Sequence, residues 1–131
     1  MKRSISVILT AVFCICLLCA CASGGGTVSY EQINPEQAKE LMDSEKDYVI
    51  LDVRTEEEYA AGHIPGAILI PDYEIEEGAK AQLRDKKQLI LVYCRSGRRS
   101  KLASEKLAEL GYSNVKEFGG IIDWKYEVVA E

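Results

Sequence analysis

Cys94 heads the run Cys94-Arg95-Ser96-Gly97-Arg98-Arg99, directly behind the apolar segment Leu89 to Tyr93. A cysteine attacks as its thiolate, and nearby positive charge favours thiolate over thiol. Arg95, Arg98 and Arg99 put three fixed cations within a few residues of the sulfur. If the apolar segment is a strand and a helix follows the run, the N–H groups of a tight loop and the positive end of that helix add to the same field. The pattern describes a nucleophile waiting for a small anion. An inert, buried cysteine is the plain alternative, and a glycine and three arginines in the next five positions argue against it.

The elements needed to place that loop are readable on either side of it. Val28 to Ile33 reads as a first strand, and Asn34 followed by Pro35 caps a helix to about Asp43. Tyr48 to Val53 is an apolar run of the kind buried on both faces of a sheet, and Ala67 to Ile70 and Val115 to Phe118 are shorter strands. Thr55 precedes Glu58 by three positions, a capping box that opens a short helix ended by Gly62. Asp72 to Lys86 reads as a helix interrupted by Gly78. From about Ser100 a helix carries Leu102, Leu107 and Leu110 on one side and stops at Gly111, and Ile121 to Val129 reads as a last helix bearing Trp124. Strands alternating with helices imply an α/β fold with a parallel sheet covered on both faces, whose ligand site lies at the carboxyl ends of the strands.

The 131 residues suffice for one domain, and 47% hydrophobic with 28% charged side chains is an ordinary globular composition. Lys2 and Arg3 precede an apolar stretch from Ile5 to Ala20, the layout of an export signal and slightly short for a membrane span. Leu18-Cys19-Ala20-Cys21 resembles a bacterial lipobox, which makes Cys21 the lipidation site, and Ala22 to Thr27 is a flexible glycine- and serine-rich spacer. The expected organisation is a signal at 1–20, a lipidated cysteine and tether at 21–29, and a folded domain at 30–131, held on the extracytoplasmic side of a membrane by its lipid. Without the signal, the loss of Lys2 and Arg3 takes 16 basic side chains to 14 against 21 acidic ones, an acidic balance that argues against nucleic acid as a partner. Of the five cysteines, four fall at or before position 21, so Cys94 is the one thiol left for reactivity.

Five ordered blocks now stand out: Leu51-Asp52-Val53-Arg54, Glu58-Tyr59, Gly62-His63-Ile64-Pro65-Gly66-Ala67, Tyr93 to Ser100, and Gly119-Gly120-Ile121 with Trp124. Together they resemble a single-domain rhodanese from about Tyr30 to Val128. The resemblance implies a three-layer fold with five parallel strands, and a sulfane sulfur moved from an anionic donor such as thiosulfate to cyanide or a thiol. Cys94 would form the persulfide, and the loop Arg95, Ser96, Gly97, Arg98 and Arg99 would bind donor and persulfide. It further implies no metal and no organic cofactor. Asp52 and Arg54 are expected to support the active-site loop, and His63 to serve a structural turn. Related phosphatases place an arginine six positions after the cysteine. Here that position is Ser100, with Arg99 at five, and the tighter loop favours sulfur over phosphorus. Sulfur carriage for an exported partner is the main competing reading, and nothing in the chain demands more than a monomer.

Overall fold

The computed structural model describes residues 29–131, so the signal segment, Cys21 and most of the tether lie outside the described residues. Strands β1 (Glu31–Gln32), β2 (Tyr48–Asp52), β3 (Ile68–Leu69), β4 (Leu89–Cys94) and β5 (Val115–Gly120) form one parallel sheet in the order β1-β5-β4-β2-β3. Helices α1 (Pro35–Ser44), α2 (Glu56–Ala61), α3 (Ile75–Gln82) and α4 (Arg98–Glu109) connect them. The expected five-stranded parallel α/β architecture is what the chain adopts.

Side-chain alternation along the central strand divides the core in two. Ile90, Val92 and Cys94 of β4 face α3 and α4, meeting Ile75, Ala79, Ala103 and Leu107. Leu89, Leu91 and Tyr93 face the opposite way, toward Ala38 and Leu41 of α1 and toward Phe118. All six residues of β4 are buried, and each large apolar side chain there contributes about 1.5–3 kcal/mol by leaving water. Cys94 is the last residue of this strand, on the α4 side.

The helix caps expected at Asn34, Thr55 and Gly111 all form, and Gln37 adds a reciprocal bond at the first. Asn34 with Gln37, and Thr55 with Glu58, each close a reciprocal capping box. Helix α4 ends in a Schellman turn: Gly111 takes φ +97, its N–H bonds the Ala108 carbonyl, and the Tyr112 N–H bonds that of Leu107.

Three expectations are corrected. Leu102 is 58% exposed rather than on the core side of α4, whose buried face is instead Ser100, Ala103, Ser104, Leu107 and Ala108. Gly78 does not interrupt a helix but lies inside α3, where a Cβ would come 2.4 Å from Ile70 Cγ2, so the missing side chain lets α3 rest on the end of β3. The helix expected over Ile121 to Val129 is a single 3₁₀ turn, Ile121–Asp123, followed by irregular chain. Tertiary pairing overrides its helical pattern. Val129 exchanges two backbone hydrogen bonds with His63, and Val128 packs on Gly62, contacts a continued helix would withdraw.

Candidate active site

The turn between β4 and α4 delivers Cys94 to the carboxyl edge of the sheet, and the residue is 1% exposed. Gly97, at φ +104, turns its N–H onto Cys94 Sγ at 3.0 Å. Only glycine holds that φ at no steric cost. The Ser100 hydroxyl, in the first turn of α4, lies 3.3 Å from the same sulfur. A backbone amide and the positive end of a twelve-residue helix therefore converge on one sulfur, an arrangement that suits negative charge there, with the Ser100 oxygen beside it.

Strand β5 shapes the other side of the loop. Val92 pairs with Glu117 and Cys94 with Gly120, so β5 carries an extra residue at this point, and Gly119 absorbs it at φ +93. The bulge brings Gly120 against the loop, where a Cβ would fall 1.9 Å from the Arg95 carbonyl oxygen. That same oxygen accepts the Ile122 N–H at 3.3 Å. Of the glycine pair in the fifth sequence block, Gly119 supplies the left-handed turn and Gly120 lets two backbones touch.

The arginines divide in role. Arg99 forms a two-pronged ion pair with Glu58 of α2, at 2.8 and 2.9 Å. The Arg99 guanidinium holds the Glu58 carboxyl down to about 2, and Glu58, with a smaller contribution from the Cys94 charge, raises Arg99 in turn. Arg95 and Arg98 are exposed and make no ion pair among the described residues, as is Ser96 exposed. Beside the loop lies a cleft of about 400 Å³ lined by Arg54, Glu58, Arg95, Ile121, Ile122 and Val128.

Asp52 and Arg54 are both buried and act on neighbours other than the loop. Asp52 accepts from the Arg54 backbone N–H and guanidinium and from the Tyr93 hydroxyl at 2.7 Å. Arg54 also donates to the Gly62 carbonyl at 2.6 Å. Burial opposes the Arg54 charge, but the Asp52 carboxylate more than offsets it, while burial and the same carboxylate keep Tyr93 protonated well above the usual tyrosine range. The pair thus braces the strand end that precedes Cys94 and the turn at Gly62. His63 stacks on Tyr59 at 3.8 Å and holds the Tyr59 carbonyl through Nδ1, the turn-forming role expected of it.

Two residues at the site were not singled out by sequence reasoning. Ser100 stood inside a recognised block as a spacing marker only, and Glu117, 2% exposed on β5, was invisible. Lys116 and Glu117 stand side by side in this short strand, and alternation alone does not say that it is Glu117 that turns inward.

A parallel α/β domain that sets a tight, arginine-rich loop over a strand-end cysteine, with the Gly97 amide on its sulfur, has the layout of a cysteine-loop catalyst. The comparisons identify which kind. The family model described as "Rhodanese-like domain" matches residues 34–127, so the chain belongs to the rhodanese-like domain family and is a rhodanese-like enzyme. It is 42% identical over 73 residues to "Thiosulfate sulfurtransferase PspE" of Escherichia coli, covering 56% of this chain and 70% of that one. It is 37% identical over 97 residues to "Putative sulfur carrier protein YrkF" of Bacillus subtilis, covering 73% of this chain but about half, 51%, of that protein. Among solved structures, "rhodanese with anions from E. coli" superposes with a TM-score of 0.61 at 38% identity, over 64% of this chain and 99% of that one.

Proposed function

We propose that this protein moves a sulfane sulfur from a small anionic donor such as thiosulfate to a thiophilic acceptor, cyanide or a thiol, through a persulfide on Cys94. The carrying observation is the Gly97 N–H on Cys94 Sγ at 3.0 Å, with exposed Arg95 and Arg98 at the rim. In the first half-reaction the Cys94 thiolate attacks the outer sulfur of thiosulfate. The new S–S bond forms as the old one breaks, and its electron pair leaves with sulfite. In the second, the acceptor attacks the terminal sulfur and Cys94 leaves as thiolate. The loop Arg95, Ser96, Gly97, Arg98 and Arg99 serves as the cradle, with Arg99 fixed by Glu58 and the other two arginines drawing in the donor.

Sulfur carriage for another protein is the second reading, favoured by the likeness to a protein named as a sulfur carrier and by the partly apolar cleft beside the loop. Residues 1–20 as an export signal and Cys21 as a lipid anchor would place either activity on the extracytoplasmic face of a membrane. With thiosulfate and cyanide the purified protein should release thiocyanate, and Cys94→Ser should abolish release. An active serine variant would overturn the reading. Slow thiosulfate turnover by a protein isolated already carrying sulfur on Cys94 would favour the carrier.

A further inference from the structure

Glu117 is a buried carboxylate that the sulfur-transfer scheme leaves without a task. It projects from β5 to the α4 side of the sheet, the side Cys94 also faces, and its Oε1 lies 2.5 Å from Ser100 Oγ. The Gly119 N–H at the bulge fixes that oxygen at 2.8 Å. Ser100 Oγ in turn lies 3.3 Å from Cys94 Sγ. Sulfur, hydroxyl and carboxyl thus form an unbroken chain of three groups.

Counting protons shows what the chain can do. The Ser100 hydroxyl has one proton to give. Two oxygens at 2.5 Å need a proton between them, as in a short hydroxyl–carboxylate bond. If Glu117 is ionised, that proton is committed to it, and Ser100 can only accept from a Cys94 thiol. If Cys94 is a thiolate receiving the Ser100 proton, Glu117 must be protonated and donate to Ser100. The two arrangements interconvert by breaking S–H and forming Oγ–H while the original Oγ–H passes to Oε1, with net charge unchanged.

We propose that Glu117 stores the Cys94 proton, passed through the Ser100 hydroxyl, so that thiol and carboxyl share one proton throughout the cycle. This deepens the proposed sulfur transfer and rests on Cys94 being its nucleophile. The proton resides on Glu117 while Cys94 attacks the donor and while the persulfide stands, and returns to sulfur when the acceptor takes the sulfane atom. Glu117 acts only through Ser100 and is a positioning residue. On the Cys94 side the charged groups are Arg95 in the loop, Arg98 and Arg99 on α4, and the carboxylates Glu58 and Asp72, both of which act on Arg99. Gln32, opposite Glu117 on β1, is uncharged, Lys116 is paired with Glu31, and Asp52, Arg54 and Tyr93 lie on the other face of the sheet.

The test is the rate of Cys94 alkylation by iodoacetamide across pH, which needs no sulfur donor and so stands or falls apart from the transferase reading. A pair sharing one proton titrates in two macroscopic steps, so reactivity should rise to a partial plateau and then rise again. Glu117→Gln, close to isosteric, should leave a single step, and Ser100→Ala should do the same by cutting the link. Melting curves of both variants identify folded material, and either variant alone suffices. A single step in the unmodified protein, or two steps surviving in a folded variant, would overturn the proposal.

Discussion

Replacing Gly120 with alanine tests whether the cradle depends on contact between two backbones. The added Cβ would lie 1.9 Å from the Arg95 carbonyl oxygen, 2.4 Å from its carbon and 2.6 Å from Ser96 Cα. Opening the first contact from 1.9 Å to the 3.0 Å that real Cβ atoms respect requires about 1 Å of relative movement between β5 and the loop. Neither partner can swing away as a side chain would, because Arg95 is also tied to Ile122 and Gly120 is paired with Cys94. The Gly97 N–H to Sγ bond, now 3.0 Å, would lengthen beyond useful range. A misplacement of about 1 Å at the reacting centre costs on the order of 10²-fold, so kcat/KM for thiocyanate formation should fall by about that factor. Overpacking alone should cost about 1–3 kcal/mol of stability. Gly111→Ala supplies the control: it strains a φ of +97 with nothing within 4 Å, so it should cost about 1–2 kcal/mol and leave kcat/KM intact. A Gly120→Ala protein that folds and retains full activity would refute the role given to this contact.

Glu58→Gln should keep the α2 capping box, since glutamine serves at that position, while removing the ion pair to Arg99. The Glu58 carboxyl sits at about 2 when folded against an ordinary 4.5, so its contribution is complete above pH 4.5 and is lost as pH falls toward 2. The pair is about a third exposed, so the variant should lose about 1 kcal/mol at neutral pH and converge with the parent near pH 2; denaturant melts at several pH values check this, and a gap that widens in acid would contradict it. Asp52→Ala leaves the Arg54 charge buried and should cost about 3–5 kcal/mol in urea unfolding, whereas Asp52→Leu combined with Arg54→Met should cost much less. In the native host, Cys21→Ala should move the protein from the membrane fraction to the soluble one; unchanged membrane retention would favour an uncleaved signal anchor.

Local signals carried most of the fold. The apolar run ending at Cys94, the Asn34 cap with Pro35, the Thr55–Glu58 capping box and Gly111 each act within a few residues, and the structure places them as their sequence neighbours dictate. Pairings across long separations were not legible. Arg99 meets Glu58 across 41 positions and Ser100 meets Glu117 across 17, and neither partner advertises the other. The last segment misled for the same reason. Its spacing suits a helix, but Val129 belongs to His63, sixty-six positions earlier, and that bridge decides its conformation. Leu102 shows the complementary error, a leucine counted as core because helical spacing alone does not say which face the sheet covers.

The central claim is that Cys94 itself carries the sulfur. Intact and peptide-level mass measurement after thiosulfate treatment should show one added sulfur atom on the Cys94 peptide, removed stoichiometrically by cyanide as thiocyanate appears. Thiocyanate formed at full rate with Cys94 never gaining that mass, or with the added sulfur on another residue, would contradict the account.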